Sequence, residues 1–437
     1  MSRFLQGRND AKVLGLSALG GALEFYDFVI FVFFTRILGE VFFPPDIPAW
    51  LAQLQVYSIF AAGYLVRPLG GLVMAHYGDR LGRKRLFTLS ILLMAAPTLA
   101  IGLLPGYAQI GAAAPVALLL CRMLQGLAVG GEMPGAWVFV AEHVRADRMG
   151  LAVASLSAGM SVGIVLGALS SAWVGHAFDA QAQLAYGWRI PFFLGGVFGF
   201  ISVWMRRWLA ETPVFEQLRA QQALARELPL RQVVRTQRGG VAVSMLATWV
   251  LTAAIVVLVL MTPTLIQNAF AVPAALAWRG NVAAALCLAL GCLAMGALGD
   301  RIGRAPALLV SCVLLAAGTY ALYLDLAAGG RHFLPLYALA GFAAGVAGVV
   351  PAVMVASFPP AVRYTGLALS YNLAYAVAGA VTPPLVAYLS THAGALAPAH
   401  YVALAALVNA GVAVYLWGRP SMSRVASSAR LPPSASP

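Results

Sequence analysis

The sequence predicts an all-α membrane protein with twelve transmembrane helices arranged as two six-helix bundles. Its composition is the first observation: 61% of the 437 residues are hydrophobic and only 10% are charged, against roughly 25% charged in soluble domains. The second is a mean hydropathy of +0.84, which the whole chain carries rather than one anchor. The third is a motif that occurs once in each half. These observations exclude soluble enzymes, secreted disulfide-rich domains and disordered regulators.

Apolar stretches alternate with polar breaks along the whole chain, and twelve of them approach or exceed the roughly 20 residues that a span needs. The first six are predicted at 13–38, 51–76, 86–104, 114–141, 150–173 and 189–208. The second six are predicted at 240–262, 275–298, 305–326, 335–357, 365–390 and 400–418.

The longest polar segment separates the two sets of six. It opens with Thr212 as an N-cap and Pro213 at the first helical position, which predicts a short surface helix. We therefore predict an N-terminal six-helix bundle at 1–208, a cytoplasmic linker at 209–239, a C-terminal six-helix bundle at 240–418 and a short cytoplasmic tail at 419–437.

An internal repeat supports this division. The sequence AHYGDRLGRKR at 75–85 aligns with GALGDRIGRAP at 296–306, an offset of 221 residues, and both copies follow the second helix of their half. Repeats of this kind indicate two similar bundles related by an axis along the membrane normal, a design common in transporters. Both termini then lie on one side of the membrane.

The distribution of basic residues predicts which side that is. The net charge is +13, and 22 of the 28 lysines and arginines fall in the terminal and connecting segments on the side that holds the termini. Such segments are cytoplasmic in multi-pass proteins. The chain is therefore expected in the cell inner membrane with both termini cytoplasmic, in contact with the lipid bilayer, and the charge gives no reason to expect a nucleic-acid partner.

The clearest charged residues in the bilayer interior, away from the ends of the predicted spans, all belong to the N-terminal half: Glu24, Asp27, Arg67, Arg122 and Glu132. Charges in the bilayer are costly, so each is a functional hypothesis. We assign the three acids to proton coupling. The two arginines are assigned to binding a substrate carboxylate or to controlling the pKa of the acids. The alternative is a static ion-pair network that holds the bundle together.

Polar side chains on the same and other helices complete the predicted substrate site. Arg122 and Gln125 are three residues apart, and Tyr371 and Tyr375 are four apart, so each pair shares a helix face. The alternative for these residues is hydrogen bonding between helices. The predicted substrate-binding residues are Tyr26, Arg67, Arg122, Gln125, Tyr371, Asn372 and Tyr375.

The two copies of the GDRxGR motif are predicted to form a conformational gate. Their glycines allow tight turns between helices, and their aspartates can contact helix ends and form ion pairs that break when the conformation changes. Glu142 is a candidate partner for Arg80 or Arg83. The alternative is that the arginines only anchor the cytoplasmic face. The predicted gate residues are Asp79, Arg80, Gly82, Arg83, Glu142, Asp300, Arg301 and Arg304.

Several local sequences resemble the metabolite:proton symporter family of the major facilitator superfamily. They are LEFYDF at 23–28, RPLGG at 67–71, GDRLGRKR at 78–85, RMLQGLAVGGE at 122–132, GWRIPF at 187–192, ETPVF at 211–215, FPPAVRYTG at 358–366 and SYNLAYAVAG at 370–379. The resemblance implies the major facilitator fold and alternating access between the bundles. It also implies proton-coupled uptake of small carboxylates, zwitterions such as proline or betaine, or related metabolites.

We therefore expect a symporter that imports a small organic acid or a related carboxylated or zwitterionic metabolite. It should work as a monomer and without a cofactor, driven by the proton gradient. Ile164 stands where the drug antiporter motif needs proline, and the tail after Trp417 lacks the heptads of osmosensing carriers; both features disfavour those relatives. The alternatives are an exporter or, more remotely, a membrane receptor. The six histidines are scattered, so catalysis is not expected.

Overall fold

The computed structural model describes residues 2–206, 211–221 and 229–418. We number its twelve long helices α1 to α12. The first bundle contains α1 (Ser2–Phe33), α2 (Ala49–Leu81), α3 (Arg83–Leu103), α4 (Ala113–His143), α5 (Met149–Ala177) and α6 (Arg189–Arg206). The second contains α7 (Arg238–Phe270), α8 (Ala274–Ile302), α9 (Arg304–Ala327), α10 (Phe333–Ala356), α11 (Arg363–His392) and α12 (Ala397–Trp417).

The helices confirm the predicted fold class. Eleven are long and apolar enough to cross a membrane, and Ala18–Phe33 passes the same test when it is taken together with the short helix Thr35–Phe42 that follows a bend of 62°. The division of the chain at residues 208, 239 and 418 stays a prediction, and the tail from residue 419 lies outside the described part.

The predicted linker helix is present. Helix Pro213–Ala220 begins where the sequence indicates, and the backbone amide of Phe215 donates a hydrogen bond of 3.2 Å to Oγ1 of Thr212. A second short helix, Pro229–Thr236, leads into α7. The linker thus adds two short helices to the twelve long ones.

The first predicted span, 13–38, is instead a helix at Ser2–Phe33 and a second at Thr35–Phe42, and the bounds also differ at the repeated motif. Helix α2 was expected to end at residue 76 but continues to Leu81, so Asp79 and Arg80 lie in its last turn rather than in a loop. Only Gly82, with φ +115°, forms the turn to α3. Gly303, with φ +95°, does the same between α8 and α9. Glycine is favoured there because a β-carbon is strained in this backbone region. We call the end of the bundles that carries these two turns the motif end.

Helices α2 and α4 pack backbone to backbone in the first bundle. A β-carbon added at Gly126 would collide with the backbone of Gly63, and one at Gly130 with that of Arg67. Helices α8 and α10 repeat this arrangement in the second bundle, where Gly341 packs on Ala284. Small residues allow such close packing in lipid. Because the approach is so close at Gly130, the position of Arg67 is tightly defined.

Two helices of the second bundle are irregular beside the space between the bundles. Helix α7 contains a π-helical segment, Ala254–Met261, and α10 is interrupted by a turn at residues 344–345. Leu251 precedes the π-helical segment and Ile255 lies within it, and Ala347 follows the turn in α10; all three border a central cavity. Local irregularity of this kind is frequent at functional sites.

Candidate functional site

A cavity lies between the two bundles. Among the described residues that line it, Arg67 is the only one with a charged side chain, and six are aromatic. The lining residues are Phe25, Phe28, Tyr64, Arg67, Val129, Met133, Trp137, Ser157, Met160, Ser161, Ile164, Leu251, Ile255, Ala347, Tyr371 and Tyr375. A mostly apolar space with few polar groups is typical of a small-molecule site.

The guanidinium of Arg67 is surrounded by tyrosine rings from both bundles. Its Cζ lies 4.6 Å from the ring centre of Tyr375, 5.3 Å from that of Tyr64 and 5.6 Å from that of Tyr371. These distances are in the range of cation–π attraction. Arg67 is 4% exposed, and its buried Nε has no hydrogen-bond partner in the described part of the chain.

The rings around Arg67 form a continuous aromatic cluster that spans the interface. Tyr64 on α2 is stacked on Tyr375 of α11, with ring centres 6.0 Å apart and an angle of 6° between the planes. Trp137 on α4 meets Tyr371 edge to face at 5.0 Å. We call Tyr64, Trp137, Tyr371 and Tyr375 the ring cage. The predicted shared face of Tyr371 and Tyr375 is therefore observed, and it faces the cavity.

Arg122 occupies a second aromatic setting, built by the first bundle alone. Its Cζ lies 4.4 to 4.7 Å from the ring centres of Phe28, Phe31 and Phe60. Its Nη1 donates a hydrogen bond of 2.9 Å to Gln125, and both terminal nitrogens approach the backbone carbonyl of Phe28 at 3.4 Å. Arg122 and Gln125 share a face as predicted, but neither side chain borders the cavity. Phe28 borders both the cavity and the guanidinium of Arg122.

The described residues place no ion-pair partner beside Arg67 or Arg122. Within the described residues, no carboxylate oxygen lies within 4.0 Å of a guanidinium nitrogen of Arg67 or Arg122. Aromatic rings and neutral polar atoms hold both side chains instead. The static ion-pair network is therefore not observed at these two arginines among the described residues, and their role in anion binding stays a prediction.

The predicted proton-coupling acids occupy different positions. Asp27 is 1% exposed, and its carboxylate faces α6, where a β-carbon added at Gly195 would collide with it. Thr98 of α3 borders the same spot and accepts a hydrogen bond of 2.8 Å from Gln125. Glu132 on α4 is fully buried. The side chain of Glu24 lies outside the described residues.

Besides Arg122 and Gln125, two further predicted substrate-binding residues, Tyr26 and Asn372, do not border the cavity. The hydroxyl of Tyr26 donates to the backbone carbonyl of Pro191 on α6 and to Ser170 on α5, both at 3.2 Å. Asn372 donates to the backbone carbonyl of Gly130 on α4 at 2.7 Å. Each is displaced from the cavity because adjacent positions on a helix point about 100° apart. Asn372 instead connects the two bundles.

At the motif end, a buried ion-pair network joins the bundles. Arg83 lies 3.4 Å from Asp79 and 3.0 Å from Glu142, and Glu142 lies 2.9 Å from Arg363 of α11. The negative charges of Asp79 and Glu142 therefore balance the positive charges of Arg83 and Arg363. Arg83 also donates to the backbone carbonyl of Pro360 at 2.6 Å. The predicted pairing of Glu142 with Arg83 is thus observed, and its connection to Arg363 is new.

The two motif aspartates make equivalent contacts across the interface. Oδ2 of Asp79 accepts hydrogen bonds from the amide and the hydroxyl of Thr365, at 2.9 and 2.8 Å, at the start of α11. The carboxylate of Asp300 accepts from the amides of Gly150 and Leu151, at 2.6 and 2.8 Å, at the start of α5. Each acid thereby caps the first turn of a helix in the opposite bundle. The predicted contact with helix ends is observed in both copies.

The remaining gate candidates differ in their surroundings. Arg301 is exposed, whereas Arg80 and Arg304 are half-buried.

Among the residues that the structure describes, no group of three or more histidine, cysteine or acidic side chains is suited to holding a metal ion.

Apart from Tyr371 and Tyr375, the aromatic residues of the cavity were not predicted, and neither were its serines. Tyr64 and Trp137 lie in apolar spans, where aromatic residues usually serve packing. A usable signal was the position of Tyr64, three residues before Arg67 on the same helix face.

The model of the Major Facilitator Superfamily matches residues 29–324. The chain belongs to this superfamily. It is 32% identical over 409 residues to a proline/betaine transporter of Salmonella typhimurium, covering 91% of this chain and 81% of that protein. It is 33% identical over 421 residues, with the same coverage, to the glycine betaine/proline/ectoine/pipecolic acid transporter OusA of Dickeya dadantii. This superfamily member is a transporter and not an enzyme.

Solved structures show the same fold. The proton:xylose symporter XylE, bound to 6-bromo-6-deoxy-D-glucose, superposes with a TM-score of 0.76 at 18% identity, covering 95% of this chain and 96% of that one. A variant of the Escherichia coli fucose:proton symporter FucP gives a TM-score of 0.71 at 12% identity, covering 93% and 98%. The arrangement of two six-helix bundles is that of the Major Facilitator Superfamily.

Proposed function

We propose that this transporter is a proton-coupled symporter that imports a small zwitterionic or carboxylated metabolite by alternating access. The observation that carries the proposal is the cavity between the bundles, where Arg67 is the charged group among aromatic rings. A guanidinium pairs well with a carboxylate. Aromatic faces attract an alkylated ammonium group. A zwitterion presents both groups, so it matches the cavity better than a plain organic acid does.

The relatives support a zwitterion. They are named for proline, betaine, ectoine and pipecolic acid, all of which carry a carboxylate together with a cationic nitrogen-containing group. Within the substrate classes expected from the sequence, the zwitterions are therefore favoured over the organic acids.

The sidedness of the proposal comes from the basic residues. The motif end carries most of the lysine and arginine, so we place it in the cytoplasm and the chain in the inner membrane. Hydrogen bonds between the bundles occur at Asp79, Glu142 and Asp300 of this end. The conformation is then closed toward the cytoplasm, and delivery of substrate requires these contacts to break.

Proton coupling is assigned to the buried acids. Asp27 and Glu132 are both buried inside the first bundle, where a charged carboxylate is costly and protonation removes the charge. Glu24 keeps its predicted role beside them. No cofactor enters the proposal, since the proton gradient supplies the driving force. Because one chain holds both bundles, a monomer is sufficient.

The test is uptake into proteoliposomes that contain the purified full-length chain. An inward proton gradient should drive accumulation of radiolabelled glycine betaine or proline, and a protonophore should abolish it. Arg67→Ala should lose accumulation, whereas Arg331→Ala should retain it because Arg331 is exposed on a connecting segment. Proton-driven release of preloaded substrate, with no uptake, would identify an exporter and overturn the proposal.

A further inference from the structure

The ring cage already holds a cation, the side chain of Arg67. Tyr64 approaches the guanidinium from the same helix, whereas Tyr371 and Tyr375 approach from the opposite bundle. No carboxylate in the described part of the chain lies within 4.0 Å of it, and Nε remains without a hydrogen-bond partner there. Among the described residues, the positive charge of the guanidinium is therefore stabilised by ring faces and by a hydrogen bond with Tyr371 rather than by a carboxylate, and Nε is left to donate to an incoming anion.

A substrate ammonium group would seek the same ring faces. Tyrosine and tryptophan faces attract quaternary ammonium and guanidinium groups through the same ring quadrupole. Two cations in one buried cage also repel each other strongly in a medium of low dielectric constant. A simple cation must therefore compete with Arg67 without compensation. A cation that brings its own carboxylate can instead pair with the arginine that it displaces.

We propose that Arg67 is an internal ligand of the ring cage, which a substrate carrying both an alkylated ammonium group and a carboxylate displaces. The ammonium group takes the position of the guanidinium on Tyr371 and Tyr375, and the carboxylate receives hydrogen bonds from Arg67. This inference rests on the proposed function for its physiological meaning. The exchange of ligands itself concerns only this cavity.

The exchange has a consequence for the contact between the bundles. In the present conformation Arg67 of the first bundle touches two rings of the second. Displacement replaces this direct contact with a substrate that bridges Arg67 and the rings. Both charges of the zwitterion are therefore needed for binding. A ligand with only a carboxylate leaves Arg67 in the ring cage, and a ligand with only a cation is repelled by Arg67.

The test is ligand binding to the purified full-length protein, measured by calorimetry and by the fluorescence of Trp137, which packs on Tyr371. Three probes separate the charges: glycine betaine, choline as a cation without a carboxylate, and 3,3-dimethylbutanoate as the uncharged-carbon isostere of betaine. Wild type should bind betaine best. Arg67→Met should bind choline about tenfold more tightly than wild type does and betaine about tenfold more weakly.

Matched variants separate this result from misfolding. Arg331→Met, at an exposed arginine, should bind all three probes as wild type does. Tyr375→Leu should weaken the binding of betaine when it is made in the wild-type protein. It should weaken the binding of choline when it is combined with Arg67→Met. Melting temperatures within a few degrees of wild type establish that the variants fold. Choline binding that is unchanged or weaker in Arg67→Met would overturn the inference, and so would equal binding of betaine and 3,3-dimethylbutanoate by wild type.

The two proposals fail in different ways. If wild type shows no proton-driven uptake of betaine or proline, the proposed function fails. The gain of choline binding in Arg67→Met would still support the exchange, because it requires only that Arg67 vacates the rings.

Discussion

Glu142 on α4 and Arg363 on α11 form a buried ion pair of 2.9 Å between the two bundles. The same carboxylate pairs with Arg83, and its Oε2 accepts a hydrogen bond of 2.9 Å from Thr212 of the linker. One side chain thus connects α3, α4, α11 and the linker. Because one carboxylate contacts all of these elements, a substitution of Glu142 tests how the motif end is held closed.

Replacing Glu142 with glutamine should open the motif end. The change leaves Arg83 and Arg363 without the charge they share, and breaking a buried pair costs about 3 to 5 kcal/mol. Spin labels at Leu81→Cys and Ile302→Cys, both exposed positions, would report the distance between the bundles in a background without the native cysteines. Glu142→Gln should populate longer distances, whereas Glu216→Gln on the exposed linker surface should not. Identical distributions in both variants would refute the role of Glu142.

Thr365→Val should loosen the start of α11. The hydroxyl donates to Asp79 at 2.8 Å, while the backbone amide of the same residue donates at 2.9 Å and survives the change. Loss of one hydrogen bond to a charged group corresponds to about 1.5 to 3 kcal/mol. Hydrogen exchange of the amides at 363–370 should therefore accelerate in Thr365→Val and remain slow in Thr365→Ser, which keeps the hydroxyl. Equal exchange in the two variants would show that the backbone contact suffices.

Gly82→Ala should destabilise the turn between α2 and α3. Its φ of +115° strains any residue with a β-carbon, and the added carbon meets Oε2 of Glu211. Gly111→Ala is the matched control, since Gly111 has φ +58° and nothing within 4 Å of an added carbon. Both glycines have positive φ, so each substitution strains the backbone by about 1 to 3 kcal/mol, and the thermal midpoint should fall further for Gly82→Ala because its added carbon also meets Glu211. Equal losses would mean that the contact with Glu211 is not restrictive.

Asp27→Asn should separate proton coupling from substrate movement. Asparagine keeps the shape of the buried side chain but neither binds nor releases a proton. Accumulation driven by a proton gradient should be lost, while exchange of internal for external substrate continues. Asp46→Asn, at an exposed acid, should leave both activities intact. Full proton-driven accumulation by Asp27→Asn would remove this residue from the coupling mechanism.

The fold could be predicted from the sequence because the features that indicate it are local. Twelve apolar stretches, a repeated motif and an asymmetric distribution of basic residues each follow from the bilayer itself. The contacts of Asp300 and of Glu142 were anticipated because charges at helix ends have few possible partners. The repeat also indicated that the two aspartates would act alike, and the caps at Thr365 and Gly150 show that they do.

The composition of the cavity could not be predicted in the same way. Whether Arg122 or Arg67 borders the cavity depends on the rotation of α4 and α2, which close backbone packing at Gly126 and Gly130 determines. Asn372 and Tyr371 are neighbours in sequence, yet one contacts Gly130 and the other borders the cavity. Such choices depend on the packing of whole helices rather than on any motif.

In the proposed mechanism a proton moves inward together with a zwitterion bound at Arg67 and the ring cage. Currents from proteoliposomes on a solid-supported membrane detect this proton, because a zwitterion such as glycine betaine carries no net charge at neutral pH. Adding betaine outside should produce a current of positive charge into the vesicles, which Arg67→Ala abolishes. Electroneutral uptake of betaine, or a current of opposite sign, would show that no proton enters with the zwitterion.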